Sequence, residues 1–253
     1  MKNMLTTGLL ALALCAPQAL TAQEEEKAPE SYIYATYFYC DVSRQEEADE
    51  LVKANNKSIY DAAVADGTIA GWGWMAHHTG GKWRRIQYHT GNSIEQLLKG
   101  QETIQERMEK AGVSNDGFSQ ICGAHDDYIW KAEAGNSTQT DRGTAGLSVY
   151  EVCDINKEDR ALEIVKTVFA PVLDKAKAEG KIKSWGYNSH VLGGKFRALQ
   201  TMTGSDFISL MKARAEILEA IYQDGKNAAA MEYSTICTSH DDYLWEILEE
   251  NNG

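Results

Sequence analysis

Proline is scarce in this chain, at three of 253 residues. Together with 43% hydrophobic and 25% charged residues, that scarcity excludes a proline-rich, collagen-like or disordered protein and leaves material for two modest cores. Beyond the first 22 residues no apolar run is long enough to cross a bilayer as a helix. No CxxC pair occurs, which removes the usual spacing of zinc ribbons and thioredoxin-like redox sites. A basic patch is missing too. The formal net charge is −12, so a phosphate backbone would be repelled and nucleic acid is not an expected partner.

The start of the chain has its own chemistry. Lys2 precedes an apolar run from Met4 to Ala16, followed by Ala19-Leu-Thr-Ala22. A short basic start, a short apolar core and a small residue before a polar stretch read as a secretory signal, residues 1–22, cleaved after Ala22. Leu12-Ala-Leu-Cys15 is the competing reading, a lipid anchor at Cys15. It is set aside because Leu14 is bulky where a small residue is expected. Removing residues 1–22 takes away Lys2 alone among the charged residues and moves the net charge to −13. Residues 23–30 are an acidic, solvated segment. The expected location is periplasmic or secreted, with no membrane attachment once the signal is gone.

What is present, and twice, is a pair of motifs. Ile121-Cys-Gly-Ala-His-Asp-Asp-Tyr-Ile-Trp130 returns as Ile236-Cys-Thr-Ser-His-Asp-Asp-Tyr-Leu-Trp245, identical at seven of ten positions. Trp72, His77, Gly80-Gly81-Lys82, Arg84 and Gln87 return 113 residues later as Trp185, His190, Gly193-Gly194-Lys195, Arg197 and Gln200. The offset becomes 115 before the final motif, which places two extra residues in a loop.

Each half reads as β-α-β-β-α-β. An aromatic, β-branched strand begins at Ser31, and Ser43 with Glu46 opens a helix that Gly67 stops. A hairpin turns at Gly80-Gly81, Asn92 caps a second helix, and a last strand runs from about Phe118. Residues 132–146 carry linker chemistry. The order then repeats with Asn156 and Ser205 as caps, Pro171 as an expected kink in the first helix, and a closing strand from Met231 to about His240. The units are residues 31–131 and 147–253, and the class is α+β.

This order is the ferredoxin-like arrangement, with helices on one face of an antiparallel sheet. Two such units set sheet to sheet resemble the dimeric α/β-barrel superfamily, here as two tandem ferredoxin-like repeats in one chain that needs no second subunit. The resemblance implies small monooxygenase, cyclase or stress-responsive barrel activities, but no motif here matches a signature whose catalytic residues could be carried over. It also makes the first and last strands of each unit neighbours. Four cysteines remain after the signal, allowing three pairings. Cys40 with Cys122 and Cys153 with Cys237 are the intra-repeat choice. Free thiols stay open, because antiparallel pairing would separate a strand-end Cys40 from a Cys122 late in its strand.

Two sets of residues could carry chemistry. His125 and His240 each precede two carboxylates and are the candidate general bases, although Asp residues at a strand end also lock turns. His77 and His190, with Arg84, Arg197, Trp72 and Trp185, are the candidate ligand-binding residues, the two histidines facing each other across a cavity between the sheets. No metal site and no cofactor are expected, with haem between the two histidines as the alternative. The leading functional expectation is an exported protein binding a small, partly apolar ligand. The alternatives are a cofactor-independent monooxygenase, cyclase or isomerase using a repeat histidine as base, and a non-catalytic structural or interaction module.

Overall fold

A computed structural model describes residues 30–114, 116–137 and 141–253. The proposed signal, Cys15 and most of the acidic segment lie outside these residues.

Eight strands form one closed barrel: β1 (Tyr32–Tyr39), β2 (Gly71–Gly80), β3 (Arg85–Gly91), β4 (Ala124–Asn136), β5 (Ala145–Cys153), β6 (Ser184–Leu192), β7 (Ala198–Gly204) and β8 (Cys237–Asn251). Around the barrel the order is β1-β3-β2-β8-β5-β7-β6-β4, antiparallel at every pairing. β4, β1, β3 and β2 come from the first half, and β8, β5, β7 and β6 follow the same order in the second. The halves join through β2 with β8 and β4 with β6, so the sheets are continuous and no strand edge is left open. Residues 132–146 contain the end of β4 and the start of β5.

Helices α1 (Gln45–Leu51), α2 (Lys57–Ala65), α3 (Ile94–Lys110) and α4 (Asp116–Ile121) cover the first half. The second carries α5 (Glu158–Ile164), α6 (Ala170–Ala178), α7 (Phe207–Tyr222) and α8 (Ala228–Ile236). Three local expectations are corrected. Residues 118–121 and 231–236 are helical rather than strand, because Ile121 and Ile236 pack inward as the last apolar residues of short helices. Pro171 does not create the break in its helix. Wide π turns at Val52–Asn56 and Val165–Phe169 interrupt both halves at the same place, and Pro171 sits in the first turn of α6, where its missing N–H costs nothing. The caps of α3 and α7 are Ser93 and Asp206, each one residue later than read. No helix among the described residues is long and apolar enough to cross a membrane.

Both intra-repeat disulfides are present, Cys40–Cys122 and Cys153–Cys237. β4 starts after Cys122, so the end of β1 meets the start of β4, with Tyr39 paired to Ala124. Antiparallel pairing therefore joins the cysteines. Each bridge closes a loop of more than 80 residues, a constraint worth about 4–5 kcal/mol on a chain-entropy estimate.

Candidate functional site

The repeated motifs meet one another across the halves. Tyr243 of the second motif lies on Gly80 and Gly81 of the first-half hairpin, where an added Cβ would come within 2.4 Å of the Asp242 carbonyl and 2.2 Å of the Tyr243 hydroxyl. The Lys82 amide donates to that hydroxyl at 3.0 Å. Tyr128 sits likewise on Gly193 and Gly194. Side chains alternate along the strands, so Asp126 turns toward Trp83 Nε1 and the Tyr39 hydroxyl, at 2.8 and 2.7 Å. His125 and Asp127 pair on the other face at 3.1 Å. The His-Asp-Asp-Tyr segments are thus reciprocal clasps holding the barrel closed.

The six residues expected to share a ligand do not converge. His77 and His190 stand on β2 and β6, opposite each other in the strand order, and neither lines the barrel cavity. His77 Nδ1 takes a hydrogen bond from Arg84 at 2.9 Å, and His190 Nδ1 one from Arg197 at 2.8 Å. Burial first, and then the adjacent guanidinium, hold both imidazoles below their ordinary pKa. Each ring meets the other half's motif edge-on: His77 against Tyr243 and Trp245, His190 against Tyr128 and Trp130. Trp72 points outward, buried beneath α2, and donates to Asp61 at 2.9 Å. Trp185 donates to Asp174 at 2.8 Å beneath α6, where it also borders a cavity.

That cavity, of about 280 Å³, lies between the outer face of the second-half strands and α6, α7 and α8. Its walls are apolar, with Val165, Phe169, Leu173 and Ile217 prominent. One polar cluster enters it. The Glu151 carboxylate accepts from the Tyr233 hydroxyl at 2.5 Å and from Gln200 Nε2 at 3.1 Å, and the Tyr233 hydroxyl also accepts from Gln200 at 3.1 Å. Glu151 is buried, and burial raises its pKa against the lowering effect of those two donors. His240 borders the same cavity, pairs with Asp242 at 2.6 Å, and lies opposite Glu151 in the strand register. Arg214 of α7 donates to Asp242 at 2.7 Å. Glu151, Cys153 and Cys237 are close enough to suggest a metal set, but the two sulfurs are joined to each other.

Glu151, Tyr187, Tyr233 and Arg214 escape a sequence reading that follows what repeats, because they differ between the halves. Aligning the halves exposes them: Phe38, Trp74, Phe118 and Gln101 occupy the equivalent places.

No protein-family profile and no curated protein matches the chain. Solved structures do. A candidate monooxygenase from Fusobacterium nucleatum subsp. nucleatum ATCC 25586 aligns with a TM-score of 0.64 at 8% identity, over 89% of this chain and 95% of that one. An anthrone oxidase-like protein aligns at 0.57 and 11% identity, over 89% and 94%. The chain therefore has the dimeric α/β-barrel fold, here an eight-stranded antiparallel barrel of α+β class. Identities this low establish the fold alone.

The same comparison corrects the expectation of no cofactor. A chlorite dismutase from Candidatus Nitrospira defluvii (TM-score 0.50, 7% identity, 87% of this chain and 91% of that one) shares the fold. The fold is not one that excludes a prosthetic group. The particular arrangement expected here, a haem between His77 and His190, does not fit: neither ring lines the space inside the barrel, and an arginine donating to each Nδ1 leaves the imidazole proton on Nε2, with no lone pair there for iron.

Proposed function

We propose that the chain is a tandem duplication of a ferredoxin-like unit, exported from the cytoplasm, that binds a small and mostly apolar molecule in the second-half cavity. The observation carrying this reading is the inequality of the halves. Equivalent positions hold Phe38, Trp74 and Phe118 packed against one another in the first half, and a buried Glu151 with Tyr187 and Tyr233 beside open space in the second. A buried carboxyl costs stability unless it is well paired, and one bordering a cavity is placed to meet a ligand's hydrogen-bonding group. Two disulfides support export, since such bonds persist in oxidising compartments.

A second reading is favoured by the raised pKa of Glu151 and by His240 at the cavity's edge: the pair can accept and return a proton, making the site an acid–base enzyme.

A thermal-shift panel of single-ring aromatics bearing hydroxyl, amine or carboxylate groups tests binding. A true ligand raises the Tm of the wild type, and Leu173→Trp, which fills the cavity, abolishes the shift. If every stabilising compound acts equally on Leu173→Trp, the site is wrongly placed. For the enzyme reading, Glu151→Gln is expected to keep binding and lose turnover; unchanged turnover removes Glu151 from the chemistry.

A further inference from the structure

The barrel has an interior chamber on the other side of the sheet from the site beneath the helices, the two having Trp185, Gly186 and Thr201 as common wall residues. Its volume is about 520 Å³, within the range that encloses a drug-sized molecule. One end is closed by an aromatic plug in which Trp83 stacks on Tyr37 and Tyr243, at ring separations of 4.3 and 5.2 Å, and meets Phe196 edge-on. The other end, where Ser31, Thr90, Asn136 and Asn252 stand, is open among the described residues.

The chamber's two walls differ in chemistry although they come from equivalent strands. Where the first half contributes Ala35, Met75 and Tyr88 the second contributes Ser148, Asn188 and Thr201, while Ile86 and its equivalent Leu199 are apolar on both walls and Ile33 adds to the first. At the mouth, Arg142 donates to Glu250 and, at 3.2 Å, to the Tyr88 hydroxyl, which itself donates to Glu250 at 2.5 Å. Arg142 and Glu250 are mostly buried, at 17% and 14% side-chain exposure. Glu133, the other charged residue on the lining, accepts from Ser189 at 2.9 Å and lies 3.8 Å from Lys131, so each charge bordering the chamber already has a partner and none is left for an occupant. A charged guest would be desolvated without a free counter-ion, which is strongly unfavourable.

We propose that the barrel interior is a second ligand chamber, taking an uncharged fused-ring compound that lays one face on the aliphatic wall and turns a hydroxyl or carbonyl edge to Ser148, Asn188 and Thr201. The Arg142–Glu250–Tyr88 clasp borders its entrance.

The probe is 2-naphthol, with 2-naphthoate as its charged counterpart, titrated into the intact mature chain and read by quenching of tryptophan fluorescence, since Trp130 lines the chamber. Naphthol is expected to saturate the signal, and naphthoate to bind at least about tenfold more weakly, the loss expected for burying an unpaired charge. Ser148→Leu, which fills the chamber from its polar wall, is expected to weaken naphthol at least tenfold, while Leu173→Trp in the site beneath the helices leaves it unchanged. Should Ser148→Leu not fold, Ile33→Trp narrows the chamber from its half-exposed mouth and carries the same expectation. Absence of naphthol binding, equal affinity for naphthoate, or loss caused by Leu173→Trp and not by the chamber variants would each overturn the proposal. The last outcome would move the ligand to the other cavity and leave that reading standing.

Discussion

Beneath the helices of the first half, Phe38, Trp74 and Phe118 meet with ring centroids 5.1 to 5.9 Å apart. Asp49 fastens this cluster to the sheet, accepting from Trp74 Nε1 at 2.8 Å and from Arg85 through two bonds of 2.6 Å. At the equivalent places the second half carries Glu151, Tyr187, Tyr233, Leu162 and Ala198. Tyr60, which stacks on Trp72 and donates to Gln87 at 2.9 Å, is replaced by Leu173. The consequences show in the paired glutamines. Gln200 Nε2 is satisfied by Glu151 and Tyr233, whereas Gln87 Nε2 has no hydrogen-bond partner among the described residues, since Phe38 stands where a carboxylate would. One half fills its helix–sheet interface with packing and ion pairing, and the other sets polar groups beside a void. Such groups are costly to the fold and useful to a ligand.

Features shared by both halves should fail equally when broken. Gly80 and Gly193 adopt φ of 131° and 136°, and a Cβ at either would lie 2.4 Å from the opposing half, against the Asp242 carbonyl at Gly80 and the Tyr128 ring at Gly193. Backbone strain of about 1–3 kcal/mol and overpacking of similar size add to as much as about 6 kcal/mol. Gly80→Ala and Gly193→Ala should therefore each come close to abolishing folding, by urea unfolding monitored with circular dichroism. A loss under about 1 kcal/mol in either, the size of an ordinary substitution, would mean that the clasps do not hold the barrel.

Features that differ should fail unequally. Trp74→Ala removes a buried indole and one partner of Asp49, an expected loss of about 3–5 kcal/mol. Tyr187→Ala lies beside existing space and should cost roughly half as much, because the transfer loss is not compounded by a new void in tight packing. Equal losses, measured on both variants in the same denaturant titration, would undo the contrast between a filled interface and an open one.

Much of the fold is legible in the sequence because it is periodic and repeated. The strand and helix order, the hairpins at Gly80-Gly81 and Gly193-Gly194, and the pairing of halves follow from alternation, turn residues and a constant offset. The errors are local. Ile121 and Ile236 read as strand residues because a short apolar run does not distinguish a strand from one helical turn. The cysteine pairing stays open in the sequence for the same reason, since a strand there places Cys122 too late to meet Cys40. The site is harder. Repetition points to His77, His190 and the His-Asp-Asp-Tyr segments, which form the two sides of one contact between halves. Glu151 and Tyr233 give no such signal, since a buried polar cluster present in the second half alone shows itself as a difference from the first.

His89 offers the sharpest solution test of that asymmetry, because its equivalent in the second half is Met202. The ring is buried, and its Nε2 lies 3.1 Å from the Leu97 carbonyl, a bond that requires a proton on Nε2 and that the neutral tautomer can supply. Burial pushes its pKa down to about 4. In the unfolded chain the group titrates near its ordinary 6.5, so between these values the unfolded state binds the extra proton and the folded state refuses it. Stability from this group is fully present above about pH 6.5 and falls as the pH drops toward 4, by about 3 kcal/mol in all. His77 and His190, also held below their ordinary pKa, add a fall of the same sign from both halves. Unfolding free energies measured from about pH 7 to about pH 4 should therefore drop more steeply in the wild type than in His89→Met, which gives the first half the side chain of the second. If the two profiles run parallel, His89 is not the group through which acid distinguishes the halves.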